Sequence, residues 1–193
     1  MDVFSWFRRN GRESDGRVRE WRREWAQAVA AIDAEAPRRL RAALTASPPL
    51  ASDIEVEEEM VDALERLIAM TDELASGRLP RVETAHRVVG ADVCHYSVPV
   101  SMPDDPAQPS GRLLLTGSRA VFVGSAKLTT IPWHAAAQAL RGDRDLMLVR
   151  ADGQTGYRFR CNTYADALCG AAIARHLIEQ TRAARRPADR GAV

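Results

Sequence analysis

Lysine is nearly missing from this chain. Of the 27 basic residues among its 193 positions only Lys127 is a lysine and the rest are arginine. The compact ammonium groups that often grip phosphate are therefore scarce. A surplus of charge is missing too: 27 bases stand against 26 acids, which removes the global basic field of a nucleic-acid binder. No apolar run approaches the roughly 18 residues of a membrane-spanning helix. The opening MDVFSWFRRNGR places its arginines after its aromatics and sustains no apolar stretch, so no secretory leader is expected.

Cysteine is sparse as well. Three are present, an odd number with no Cys-x-x-Cys, in a chain large enough to need no staples. A reducing, cytoplasmic setting is expected rather than a disulfide framework or zinc ribbon. Catalytic patterns are absent: there is no Gly-x-Ser-x-Gly, no His-x-x-x-His or Glu-x-x-His on a predicted helix, and no glycine-rich loop from strand to helix. Cys94 and His95 are adjacent, so a regular strand sends them to opposite faces. A polar pocket joining His134 to Cys94 or Cys161 would be needed for catalysis. Otherwise these cysteines act as small hydrophobes. No metal, cofactor or enzymatic activity is expected.

What is present begins with helices. Residues 1–16 read as a flexible segment holding Phe4, Trp6 and Phe7. From Arg17 a stripe of Trp21, Trp25, Ala28, Ile32 and Ala36 has helical spacing. Pro37 interrupts or kinks that helix, or opens a second one. Ser52 with Glu55 fits a capping box, and Met60, Leu64, Leu67, Thr71 and Leu74 continue at helical spacing to a Gly77 C-cap. The helical region thus spans 17–79. Asp53 to Glu65 holds seven acids, which suit the first turns of a helix. Such a two- or three-helix region has a small core, so it docks on the rest of the chain or pairs with a second copy through these stripes.

From residue 81 the periodicity shortens toward two. Seven strands are predicted: 81–89, 93–100, 112–116, 119–124, 127–132, 145–150 and 156–161. Short turns join most of them, and a proline-rich loop over 101–110 interrupts the series. Ala165, Leu168, Cys169, Ala172, Ile173 and His176 then share one face of a last helix, and a basic, disordered tail is expected over 182–193. The fold class is α+β, with N-terminal helices followed by a seven-stranded antiparallel barrel over 81–181 capped by a C-terminal helix.

Three segments carry a resemblance. Gly111-Arg112-Leu113-Leu114-Leu115-Thr116 is a glycine and an apolar strand ending in threonine. Arg119-Ala120-Val121-Phe122-Val123-Gly124 follows, and then Thr130-Ile131-Pro132-Trp133. Together they resemble the pleckstrin-homology-like domains, the GRAM-type and bacterial members above all, over about 81–180. The resemblance implies a binding module for membrane phosphoinositides or proteins, or a scaffold. Its lipid-binding members place bases around the first hairpin. The turn predicted there, Val89-Gly90-Ala91-Asp92, has no base and one acid.

Two sets of residues are candidates for contact. Arg112, Arg119, Lys127, Arg158 and Arg160 lie on predicted strands or at their ends and would form a patch for phosphate or a partner's carboxylates. The plainer account is the solvated face of a half-buried sheet. Phe4, Trp6, Phe7, Arg8 and Arg9 suit an interfacial anchor on anionic lipid, or a tail packed on its own protein. The expected function is a non-catalytic protein-binding or scaffolding module. The competing reading is a peripheral adaptor at the inner face of the membrane, using the N-terminal aromatics and the basic tail.

Overall fold

The computed structural model describes residues 3–46, 54–152 and 156–185, with side chains from residue 16 onward. The side chains of Phe4, Trp6, Phe7, Arg8 and Arg9, the capping residue Ser52 and the last eight positions lie outside the described residues. Two compact units divide between Ile68 and Ala69.

In the first unit, helix α1 spans Val3–Ala31 and α2 Ala36–Ala46, and most of α3 (Glu55–Ala75) follows. The tryptophans of the predicted stripe are buried in this unit: the Trp21 indole N–H donates to the Leu40 carbonyl at 3.1 Å and that of Trp25 to the Met60 carbonyl at 2.6 Å. Arg22 reaches the buried carboxylate of Glu57 at 2.7 Å. Ile32 leaves the predicted stripe. It has φ 53°, and the Asp33 N–H bonds back to Ala28 at 3.0 Å, a left-handed helix stop. Pro37 therefore opens α2, where its missing N–H removes nothing. Helix α3 closes at Gly77 (φ 71°), with the Arg78 N–H on Glu73 at 2.9 Å, the stop its sequence announces.

The second unit holds β1 Cys94–Ser101, β2 Ser110–Thr116, β3 Arg119–Gly124, β4 Leu128–Pro132, β5 Ala136–Gly142, β6 Asp145–Arg150 and β7 Tyr157–Cys161. Every ladder is antiparallel, in the order β4-β3-β2-β1-β7-β6-β5. One predicted strand is absent and one strand present is unpredicted. Residues 81–89 form no strand: they alternate because they lie as a strap beside a small apolar cluster of Val89, Cys94, Leu114 and Val121, joined to β1 by the Val82 N–H on Cys94 at 2.8 Å and ending in a 3-10 turn at Arg87–Val89. Strand β5 escapes prediction because Ala-Ala-Gln-Ala-Leu favours helix by propensity; pairing with β6 overrides it.

The expected closed barrel is also corrected: the sheet is open. Strands β4 and β5 are its two ends and share no ladder. The chain leaves β4 at Pro132, and the 3-10 turn Trp133–Ala135 redirects it before the two can pair. Trp133 is buried there, its N–H donating to the Thr116 carbonyl at 2.8 Å. Among the described residues the two halves of the sheet join where Val100 and Ser101 pair with Cys161 and Arg160. Helix α4 (Tyr164–Arg185) starts on a Thr163 cap, whose hydroxyl accepts the Asp166 N–H at 3.0 Å. It completes the core with Ala167, Ala171, Ile173, Ala174, Leu177 and Ile178 packed with Phe122, Trp133, Leu146, Leu148 and Phe159.

Candidate binding surface

The residues behind the resemblance have structural work. A Cβ on Gly111 would collide with the Val123 carbonyl oxygen, so β2 and β3 approach there only without a side chain. The Thr116 hydroxyl donates to the Arg119 carbonyl at 2.9 Å and accepts its N–H at 3.2 Å, closing the hairpin. Asp92 grips that turn from the strap, accepting from the Ser118 N–H at 3.1 Å and hydroxyl at 2.6 Å. Burial opposes ionisation of Asp92, but its hydrogen bonds prevail and hold the carboxyl below the usual range.

All five candidate cations on the sheet have partners within the chain. Arg112 donates to the Ser97 hydroxyl at 3.0 Å and Arg119 to the Val88 carbonyl at 3.1 Å. Lys127 pairs with Asp105. Arg158 and Arg160 converge on Asp145, at 2.5 and 2.8 Å, and Arg158 also reaches Asp104 at 3.4 Å. Asp145 is buried, which opposes its charge, yet the hydrogen bonds from Arg160 and Arg158 hold its carboxyl below the usual range. Pairing of these arginines is visible in the sequence as a shared strand face, whereas their neutralisation by Asp104, Asp105 and Asp145 requires the tertiary fold. The loop of the first true hairpin, 102–109, carries two acids and no base.

The cysteines and histidines do not assemble. Cys94 belongs to the cluster under the strap and Cys161 to the main core, while His134 is exposed. Burial raises both thiols, that of Cys161 to about 12, which keeps them protonated. Cys94 and His95 are both buried, because a bulge between Cys94 and Tyr96 breaks the alternation and the His95 ring meets the Pro80 carbonyl at 2.7 Å. Among the described residues no three His, Cys, Asp or Glu side chains gather as a metal site would need. A cleft of 430 Å³ lies along the strap, lined by residues including His86, Arg87, Asp92 and Cys94, and is open to solvent.

Strand β4 is different, because among the described residues its outer side faces no other strand. The Gly124 N–H bonds to the Lys127 carbonyl at 2.8 Å, so by antiparallel parity Thr129 and Ile131 direct their backbone groups at β3. Leu128 and Thr130 direct theirs outward, and Pro132 occupies the next outward position, where a missing N–H breaks no ladder. Leu128 is 60% exposed, the most exposed of the large hydrophobic side chains described.

These features define an open antiparallel sheet with a packed C-terminal helix and no assembled catalytic group among the described residues. No family model matches the chain, and no curated protein matches it. Among solved structures it is similar to the C-terminal domain of an unknown protein from Leishmania infantum (11% identity, 47% of this chain and 89% of that one, TM-score 0.40). It is similar also to inner membrane complex sub-compartment protein 3 from Toxoplasma gondii (14%, 45% and 77%, TM-score 0.36), and to the linker-DH/PH domains of p115-RhoGEF (12%, 63% and 41%, TM-score 0.39). The similarity to PH and DH/PH proteins is remote and does not single out the GRAM type. No helix among the described residues is long and apolar enough to cross a membrane.

Proposed function

We propose that the chain is a non-catalytic, cytoplasmic protein-binding module of the pleckstrin-homology-like, GRAM-type kind, and that the outer edge of β4 receives an extended segment of a protein partner. The supporting observation is that edge: Leu128 and Thr130 direct their backbone groups outward beside a largely exposed leucine. An added strand would complete the ladder, and an apolar side chain on it would cover Leu128. A lipid-headgroup reading has less support, because the candidate cations on the sheet are engaged internally and the first hairpin loop is acidic. Self-association through the tryptophan stripe is not part of the proposal, since Trp21 and Trp25 are buried within one chain.

The test is photo-crosslinking in cells from a benzoylphenylalanine placed at Leu128, with one at exposed Glu83 as control. The reading expects a discrete protein adduct from position 128 alone, lost when Thr130→Pro removes an outward N–H. Equal labelling from both positions would overturn it, and an adduct of doubled chain mass would name a second copy as the occupant. Flotation with anionic vesicles, comparing the full chain with a form lacking 1–12 and 182–193, tests the membrane reading. Salt-sensitive flotation that the shortened form loses would favour it.

A further inference from the structure

Many arginines in this chain have an acidic partner, among them Arg22, Arg39, Arg41, Arg150, Arg158 and Arg160. Arg141, on β5, has none among the described residues. Ala139 faces the core, and side chains two apart on a strand share a face, so Arg141 leaves β5 on the inner side, toward α4. That helix runs back along the strand. Arg182 near its end donates to the Ala137 carbonyl near the start of β5, and Arg175, about two helical turns earlier on the same face of α4, lies back toward the strand's end, where its charge acts on Arg141.

Arg141 is half-buried and Arg175 exposed, and neither has a hydrogen bond or ion pair among the described residues. Burial first, and then the charge of Arg175, draw the Arg141 guanidinium below its usual range. No nearby acid forms an ion pair with either arginine among the described residues. Asp145 is held by Arg158 and Arg160, Asp143 acts on Arg160, and Glu179, one turn along α4, makes no ion pair with Arg175. Arg141, partly withdrawn from water and with a second cation nearby, lacks an ion-pair partner among the described residues, and an anion that joined the two guanidiniums would relieve it.

We propose that Arg141 of β5 and Arg175 of α4 form an oxyanion site whose ligand is a phosphate monoester, held as a dianion between the two guanidinium forks. Two positive charges match its charge near neutral pH, and planar forks donate in pairs to tetrahedral phosphate oxygens. The site is apart from the β4 edge, at the opposite end of the sheet order, so neither proposal decides the other.

The experiment uses the full chain and three probes: inorganic phosphate, phosphoserine, and vesicles containing phosphatidic acid. The readouts are arginine side-chain NMR shifts with thermal midpoints for the soluble probes, and flotation for the vesicles, each against chloride at equal ionic strength. A saturable response at Arg141 and Arg175 is expected, weakened roughly tenfold or more by Arg141→Gln and by Arg175→Gln. Without phosphate, Arg141→Gln raises the thermal midpoint, because it relieves the repulsion. Response to phosphoserine identifies a free ester as the source, response to inorganic phosphate without phosphoserine overturns the monoester assignment, and response to vesicles alone identifies a lipid headgroup. Absence of saturable binding to all three, or binding unchanged in both variants, overturns the proposal. Arg175→Gln alters an exposed side chain, so the test survives any folding defect of the other variant.

Discussion

Gly111 and Asp145 show how single residues hold the sheet. Because the Val123 carbonyl occupies the space a Cβ would take, Gly111→Ala must push β2 and β3 apart at backbone atoms. The expected loss is about 1–3 kcal/mol by urea unfolding, the range of overpacked sites. Asp145→Asn leaves Arg158 and Arg160 without their shared carboxylate. Removing one partner of a fully buried pair costs about 3–5 kcal/mol. The two arginine heads are about half in water here, so a loss of about 2 kcal/mol at pH 7 is expected. The folded-state pKa of Asp145 is depressed, so its contribution is complete above the ordinary aspartate range and disappears as pH falls through the lowered value. The unfolding midpoints of the native chain and of Asp145→Asn should therefore converge only in that acid window.

At the scale of elements, legibility follows how local each signal is. The hairpin of β2 and β3 is readable because its glycine, threonine and apolar alternation sit within a few residues of their partners. The stop at Gly77 is readable for the same reason. The strap reads wrongly as a strand because contact with a sheet surface imposes the same alternation as membership in a sheet. Strand β5 is invisible because alanine records no preference for pairing, and with it goes the inward direction of Arg141. The arginine face is located correctly along the chain, but the acids that neutralise it come from a loop and from the start of β6, far away in sequence. The strap supplies a test at this scale. Asp92 ties it to the β2–β3 turn, so Asp92→Ala should accelerate proteolysis within residues 84–91 while the global unfolding midpoint changes little. Unchanged cleavage would show that the apolar cluster alone holds the strap.

For the whole molecule, the open sheet matters more than any single side chain. A closed barrel would have left no backbone for a partner. Among the described residues the ladder ends at β4, an edge that is short and carries Pro132. The backbone amides of β4 report on this, read by residue-resolved hydrogen exchange on the full chain. Thr129 and Ile131 bond toward β3 and should exchange slowly, whereas Leu128 and Thr130 should exchange rapidly, an alternation that a free edge alone produces. Slow exchange at all four would mean that the edge is already covered, and β4 could not then receive a partner's strand.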